Sequence, residues 1–369
     1  MKFGTQICFA LLAIAIVAPT ILAQSSAEKE PYTSGVVSLK EPTLPAPKAN
    51  TTVANDLEDP AAKVNTSAKE EPGAGSVKSA LTYYNAGAAS LNERHYKDAI
   101  ASLEVACQLA PNSSAVHSEL GYAYFCLDDY ENSIKAYKRA VSLSPTSFAT
   151  RRSLGIVYIK SKKPEHAIPL LQETTRLEPD NAINHYLLAR AYDDADQLDD
   201  AADQFLRSIA LDSKHYRSYF GLAAIYTDQS RTEDAIGLLK KAIQLKPDFG
   251  EGYEALGNAL NSTGNHKDAI PNYETAIKLN PQDPIARNNL GVAYMSVGKN
   301  KQSLAAFKSA ATLGPQVGQI HMNLVRAYLH VRDKDGALAE YGLLKTIDPA
   351  LANIVYHEIF QHRILQVRD

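Results

Sequence analysis

The chain has 369 residues and a nearly balanced charge, with 38 lysines and arginines against 41 aspartates and glutamates. The net charge of −3 gives no basic excess, which argues against a protein that holds nucleic acid through its phosphates. Composition excludes little else.

The first 23 residues have the pattern of an export signal. Lys2 gives a short basic start, residues 7–18 are apolar, and Ala23 suits a cleavage site. The uninterrupted apolar run is 12 residues long, shorter than the roughly 20 that span a bilayer. We predict a cleaved signal peptide at 1–23, an exported protein that is periplasmic or secreted, and no stable transmembrane domain after cleavage. The alternative is an uncleaved N-terminal anchor, because residues 3–23 together are nearly long enough to span.

Residues 24–79 differ in composition from the rest of the chain. The segment contains six prolines and a single aromatic residue, Tyr32, among mixed lysines and glutamates. Such a segment cannot bury enough apolar surface to offset the conformational entropy lost on folding. We predict a disordered linker here, rich in Pro, Ser, Ala, Lys and Glu.

From residue 80 onward the sequence repeats every 34 residues. Proline keeps this spacing, and Ser213 takes the place of one proline; the prolines are Pro111, Pro145, Pro179, Pro247, Pro281, Pro315 and Pro349. A period of this length is typical of stacked helix pairs, because one pair cannot bury its own apolar face. With the prolines at position 32, the eight repeats are 80–113, 114–147, 148–181, 182–215, 216–249, 250–283, 284–317 and 318–351.

Small and apolar residues keep fixed positions within this period. Position 8 is occupied by Gly87, Gly121, Gly155, Ala189, Ala223, Gly257, Gly291 and Val325. Positions 4, 7, 8 and 11 share one face of a first helix, and positions 20, 24 and 27 share one face of a second helix. Glycine inside a helix costs about 0.5–1 kcal/mol relative to alanine. We therefore expect the position-8 glycines to permit close approach of two helices.

These motifs resemble those of the tetratricopeptide-repeat (TPR) family over residues 80–351. The matching stretches are 120–124 in a first helix, and 268–270 and 276–281 at the start and end of a second helix. The family's large aromatic residue at position 4 is replaced by histidine or arginine in five repeats. The resemblance implies an all-α fold, a right-handed α-solenoid of stacked helix pairs (a TPR superhelix).

The segment after the repeats, residues 352–369, has the pattern of one more amphipathic helix. Its apolar residues include Ile354, Val355, Ile359, Phe360 and Ile364. Repeat eight carries Val325 and Leu344 where other repeats have small residues, as expected of a terminal repeat. We predict a C-terminal capping helix that covers the exposed face of repeat eight.

Cys107 and Cys126 are expected to remain free. They lie near the ends of two antiparallel helices, so they are offset by about 12 Å along axes that are themselves 8–10 Å apart. That separation exceeds the roughly 7 Å Cα limit for a disulfide. We predict two free and largely buried thiols.

The titratable residues form no pattern typical of a catalytic or metal site. His117, His185 and His321 share one repeat position and therefore lie whole repeats apart. The acidic residues between 193 and 203 lack the glycine and glutamate of an EF-hand loop, so we expect helix capping, with calcium binding as the alternative. Because the repeats occupy 80–351, no stretch remains for a catalytic domain. We predict no enzymatic activity, no cofactor and no metal.

In the TPR family the first helices line a groove that binds segments of other proteins, chiefly through positions 2, 5, 9, 12 and 13. Carried over here, these positions are apolar and aromatic in the early repeats and polar in repeats six and seven. The predicted partner-binding residues are Tyr84, Tyr122, Phe125, Arg152, Ile156, Ile159, Tyr186, Arg190 and Phe220. For each single residue, packing against a neighbouring first helix is the alternative.

The function expected from this pattern is a non-enzymatic protein–protein interaction scaffold or adaptor in the periplasm or secretory pathway. It would hold a protein or peptide segment in the groove, and analogy of fold with exported repeat proteins favours envelope assembly or secretion. The alternative is an accessory subunit that positions substrate for a separate enzyme, such as one acting on glycans.

Overall fold

The structure is a computed structural model that describes residues 74–365, with side chains from 78 to 360. The described residues form seventeen α-helices and no strand. The helices are α1 (Ala74–Asn92), α2 (Tyr96–Leu109), α3 (Ser114–Cys126), α4 (Tyr130–Leu143), α5 (Phe148–Lys160), α6 (Pro164–Leu177), α7 (Ala182–Asp194), α8 (Leu198–Leu211), α9 (Tyr216–Asp228), α10 (Thr232–Leu245), α11 (Gly250–Ser262), α12 (His266–Leu279), α13 (Pro284–Ser296), α14 (Asn300–Leu313), α15 (Gly318–His330), α16 (Lys334–Ile347) and α17 (Pro349–Leu365).

The helices follow the 34-residue period. From α3 to α16 a 13-residue first helix alternates with a 14-residue second helix, as in α3 and α4 or α15 and α16. Each second helix packs against the first helix of its own repeat and against the first helix of the next. The prediction of an all-α solenoid of stacked helix pairs is confirmed.

The first helices also contact each other from repeat to repeat. Helix α5 touches α7, and α13 touches α15. The first helices therefore form a continuous layer, and side chains between two neighbouring first helices are drawn into the core.

The position-8 glycines allow close packing within each pair, as the sequence predicts. A Cβ atom on Gly121 would lie 2.8 Å from the Tyr137 ring, and one on Gly291 would lie 2.7 Å from the Phe307 ring. Real Cβ contacts are essentially never this short, so the missing side chain makes room for a large one on the second helix.

The turn inside each pair contains a residue with left-handed backbone conformation. All eight turns place it at position 15, and the residues are Arg94, Asp128, Lys162, Asp196, Ser230, Gly264, Gly298 and Arg332. Only Gly264 and Gly298 are of the type that adopts this conformation without strain. Because six of the eight are not glycine, this recurring turn leaves no clear pattern in the sequence.

The first and the last described helix each begin before the residue that the sequence predicts. Helix α1 begins at Ala74, so it includes the last residues of the segment 24–79 predicted as linker. Helix α17 begins at Pro349, three residues before the predicted cap at 352–369. Proline is tolerated in a first helical turn, and the Asp348 carboxylate accepts a hydrogen bond from the Leu351 amide at 2.9 Å.

Helix α17 covers repeat eight. Val355 and Ile359 pack in one cluster with Val325 and Leu344, and Arg326 of α15 forms an ion pair with Glu358 at 2.7 Å. The predicted signal peptide at 1–23 and the linker up to residue 73 lie outside the described residues. No helix within residues 74–365 combines the length and apolar character of a membrane span.

Cys107 and Cys126 form no disulfide, as predicted, and each is buried over most of its surface. Cys107 lies 3.5 Å from Nδ1 of His117, and Cys126 lies near the hydroxyls of Tyr96 and Tyr122. Both cysteines thus border polar side chains.

Candidate protein-binding surface

The nine predicted groove residues separate into two groups. Half-buried side chains, which keep an open face, belong to Tyr122, Phe125, Arg152, Arg190 and Phe220. Buried side chains, which do not, belong to Tyr84, Ile156, Ile159 and Tyr186. The surface available to a partner is therefore smaller than the sequence predicts.

The four buried residues are corrections to the predicted site. Tyr186 is 2% exposed, and its ring lies 6.1 Å from the Phe205 ring and 4.8 Å from the His215 ring. Tyr84 on α1 donates a hydrogen bond to Glu119 on α3. The physical reason is the contact between successive first helices, which encloses side chains that would otherwise line a groove.

Repeat two carries an aromatic patch, formed by Tyr122, Phe125, Leu127 and Tyr130. The ring centroids of Phe125 and Tyr130 are 6.1 Å apart, and Leu127 is 41% exposed. Tyr122 packs against the core of repeat one, which holds it in place. The sequence predicts two members of this patch, and Leu127 in the turn and Tyr130 at the start of α4 complete it.

Repeats three and four carry charged side chains along the same layer. Arg152 donates to the Asn184 amide oxygen at 3.5 Å, and Lys162 forms an ion pair with Asp194 at 2.7 Å. Asp193 is an exposed residue. Desolvation of its carboxyl, reinforced by the neighbouring Asp194 and opposed by Arg190, raises its pKa.

Some of these charged side chains connect neighbouring repeats, and others face solvent. The acidic turn of repeat four, expected to cap helices, also binds Lys162 of repeat three. Within the described part of the chain, no group of three His, Cys, Asp or Glu residues is arranged to hold a metal ion.

Phe220 and Ile183 extend the apolar part of the surface into repeats four and five. Phe220 packs edge-on against Phe249 with ring centroids 5.0 Å apart, so one side of its ring is fixed and the other is open. Ile183 is 43% exposed at position 2 of repeat four. Both occupy positions that the family uses for binding, although Ile183 is not among the nine predicted residues.

The groove positions of repeats six and seven are mostly polar, as the sequence predicts. Asn289 donates to Asn258 at 3.0 Å, and Asn323 donates to Asn288 at 2.9 Å, each pair joining neighbouring first helices. Burial and two nearby carboxylates, of Asp283 and then Glu251, raise the pKa of Glu254 to about 7. The layer therefore changes from aromatic to charged to amide-rich along the chain.

The fold defines a helical-repeat solenoid built of stacked helix pairs. Family models of the tetratricopeptide repeat match residues 114–147, 152–213, 186–248 and 293–352, and a further TPR-repeat model matches 257–298. The chain belongs to the tetratricopeptide-repeat family. This fold is typically a non-enzymatic scaffold for protein–protein interaction.

One solved structure shows the same architecture, and others are similar over part of the chain. A chain from the crystal structure of the APC/C hetero-tetramer Cut9-Hcn1 is 16% identical, covers 72% of this chain and 52% of its own length, and superposes with a TM-score of 0.53. YrrB, a TPR protein with an unusual peptide-binding site, is 21% identical over 50% of this chain and 96% of its own, with a TM-score of 0.46. MamA from Desulfovibrio magneticus RS-1 is 22% identical over 46% of this chain and 97% of its own, with a TM-score of 0.44. No curated protein matches the chain significantly.

Proposed function

We propose that this protein is a non-enzymatic adaptor that holds a segment of a partner protein against its layer of first helices. One observation carries the proposal: half-buried aromatic and charged side chains follow one another along this layer through repeats two to five. Side chains of this kind combine a large contact area with a fixed orientation, which is typical of binding hot spots.

The partner would contact the two ends of this surface differently. The aromatic patch of repeat two and Phe220 offer apolar contacts on rings that are already fixed by Tyr130 and Phe249. Fixed rings lose little side-chain entropy on binding, which favours affinity. Arg152, Arg190 and Asp193 between them would select charged side chains of the partner.

The same proposal places the protein outside the cytoplasm. It rests on the export signal pattern of residues 1–23. Envelope assembly or secretion is the setting that we propose for the adaptor. An accessory role beside a separate enzyme would use the same surface and would differ in what occupies it.

The test is capture of the partner by the full chain from an exported fraction of its host after chemical cross-linking. We expect the double variant Tyr122→Ala, Phe125→Ala to retain less than about a tenth of the captured partner, because loss of two aromatic anchors costs upward of 1.4 kcal/mol. Its helical circular dichroism should match that of the parent chain.

Leu206→Ala is the matched control, since Leu206 is an exposed apolar residue on the second helix α8. Undiminished capture by the double variant would contradict the proposal. Recovery of an enzyme together with its substrate on the same surface would favour the accessory role instead.

A further inference from the structure

A carboxyl group is buried where repeat one meets repeat two. Glu119 of α3 is 2% exposed, and its Oε1 accepts a hydrogen bond from the Tyr84 hydroxyl of α1 at 3.3 Å. It forms no ion pair with any of the residues 78–360 whose side chains the structure describes. A buried carboxyl with a single weak partner is costly to ionise, so its protonation state bears directly on the contact between α1 and α3.

An equivalent contact between first helices lies near the other end of the array, and there both residues are asparagines, which do not titrate. Tyr84 and Glu119 occupy position 5 of one repeat and position 6 of the next, and so do Asn288 and Asn323. The Asn323 amide donates to the Asn288 oxygen at 2.9 Å, and Asn323 is buried as Glu119 is. The two junctions thus share their geometry and differ in charge chemistry.

The groups around Glu119 offer it no positive charge. The titratable groups that face it are Tyr84 of α1, Tyr122 of its own helix and Tyr137 of α4. Burial raises the pKa of all three tyrosines, so they stay neutral where Glu119 titrates.

Among the described residues, the groups of α2 and α5 that lie beside this cluster are neutral. Tyr96 of α2 lies beside Tyr122, and α5 presents the hydroxyls of Thr150 and Ser153 near Ser118 and Tyr137. Burial raises the pKa of Glu119 to about 8, and the hydrogen bond from Tyr84 opposes the rise. No basic side chain among residues 78–360 is placed to neutralise an ionised Glu119.

We propose that the Tyr84–Glu119 contact is a pH-sensitive joint, at which ionisation of Glu119 lets repeat one open away from repeat two. The inference goes beyond the adaptor function, since it concerns how α1 and α2 stay attached. Opening would uncover the apolar face of α3 that packs on repeat one, including Val116 and Leu120, and would free Tyr122 from its support.

The direction follows from the difference between the folded and open states. An exposed glutamate has a pKa near 4.5, whereas that of Glu119 in the closed joint is about 8. The closed state therefore binds the proton more tightly, and its stabilisation is complete below pH 4.5. The stabilisation of the closed joint by Glu119 is lost as the pH rises from 4.5 through about 8. Opening therefore becomes more frequent at alkaline pH.

Hydrogen–deuterium exchange of the full chain tests the joint. Protection of α2 amides is compared with that of α15 amides between pH 5 and pH 9, after correction for the intrinsic pH dependence of exchange. Helix α15 lies at the neutral Asn288–Asn323 junction and serves as the internal reference. We expect protection of α2 relative to α15 to fall at least about tenfold across this range.

Two variants keep the test decisive. In Glu119→Gln the relative protection of α2 should be independent of pH. In Tyr84→Phe the carboxylate loses its hydrogen-bond donor, so the pKa of Glu119 rises further and the fall should extend to higher pH. A pH-independent ratio in the parent chain, or the same fall in Glu119→Gln, would overturn the proposal, as would a fall in Tyr84→Phe that levels off at lower pH.

Discussion

Tyr186→Ala is expected to lower the free energy of unfolding by about 3–5 kcal/mol, the range for removal of a large buried aromatic side chain. Tyr186 is 2% exposed and packs between Phe205 of α8 and His215, which precedes α9. Its loss would leave a cavity where repeats four and five meet. Because a solenoid is stabilised by contacts between neighbouring repeats, the halves on either side of this junction would lose coupling.

Urea denaturation followed by circular dichroism measures this effect. Phe125→Ala is the matched control, because Phe125 is an aromatic residue of the same helix layer that keeps an open face. We expect it to cost about 1–2 kcal/mol, since its ring is only partly removed from water. A loss below 1 kcal/mol for Tyr186→Ala would show that Tyr186 is a surface residue, as the sequence alone predicts.

Gly257→Val is expected to destabilise the chain by about 3 kcal/mol through overpacking. A Cβ atom at Gly257 would lie 2.7 Å from the Tyr273 ring, and valine adds two further methyl groups. Tyr273 is buried, and its hydroxyl donates to Asn258 at 2.8 Å, so the ring cannot move aside freely. Helices α11 and α12 would have to separate.

The matched control is Gly237→Ala in the second helix α10. No heavy atom lies within 4 Å of a Cβ atom at Gly237. Alanine should therefore stabilise the chain there by about 0.5–1 kcal/mol, because it favours the helix and restricts the unfolded chain. Thermal melts of both variants test the pair. Equal stability of Gly257→Val and the parent would mean that close approach at position 8 is not required.

Most of the fold can be predicted from the sequence because each position is sampled eight times. A proline or glycine at one place carries little information, but Gly121, Gly257 and Gly291 at the same position indicate a common geometric need. Their shared role, room for a ring on the second helix, is what the structure shows. Comparison of the eight repeats thus supplies information that a single helix pair would not contain.

The binding surface is predicted less well than the fold. The position of a residue within the repeat does not determine how closely successive first helices approach each other. Ile156 and Phe125 both occupy positions assigned to the groove, yet Ile156 is buried and Phe125 keeps an open face. The difference depends on which side chains the neighbouring repeat presents. Pro349 shows the same limit, since it begins α17 whereas the equivalent Pro315 lies in the turn before α15.

The burial of Glu119 could not be predicted from the sequence pattern for a related reason. It stands next to Leu120 and Gly121, the residues that identify the first helix of repeat two, and reads as a solvated charge on that helix. Its burial depends on Tyr84, which lies 35 residues away in the preceding repeat. Contacts between repeats, rather than the repeat itself, decide which side chains are free to act.

Site-specific photo-cross-linking tests most directly whether a partner lies against the layer of first helices. A photo-reactive phenylalanine analogue is placed at Phe125 or Phe220 on first helices, or at Leu206 on a second helix, where the side chain is 46% exposed. The account predicts a cross-linked partner from positions 125 and 220 and none from 206. Cross-linking from 206 without cross-linking from 125 and 220 would contradict it.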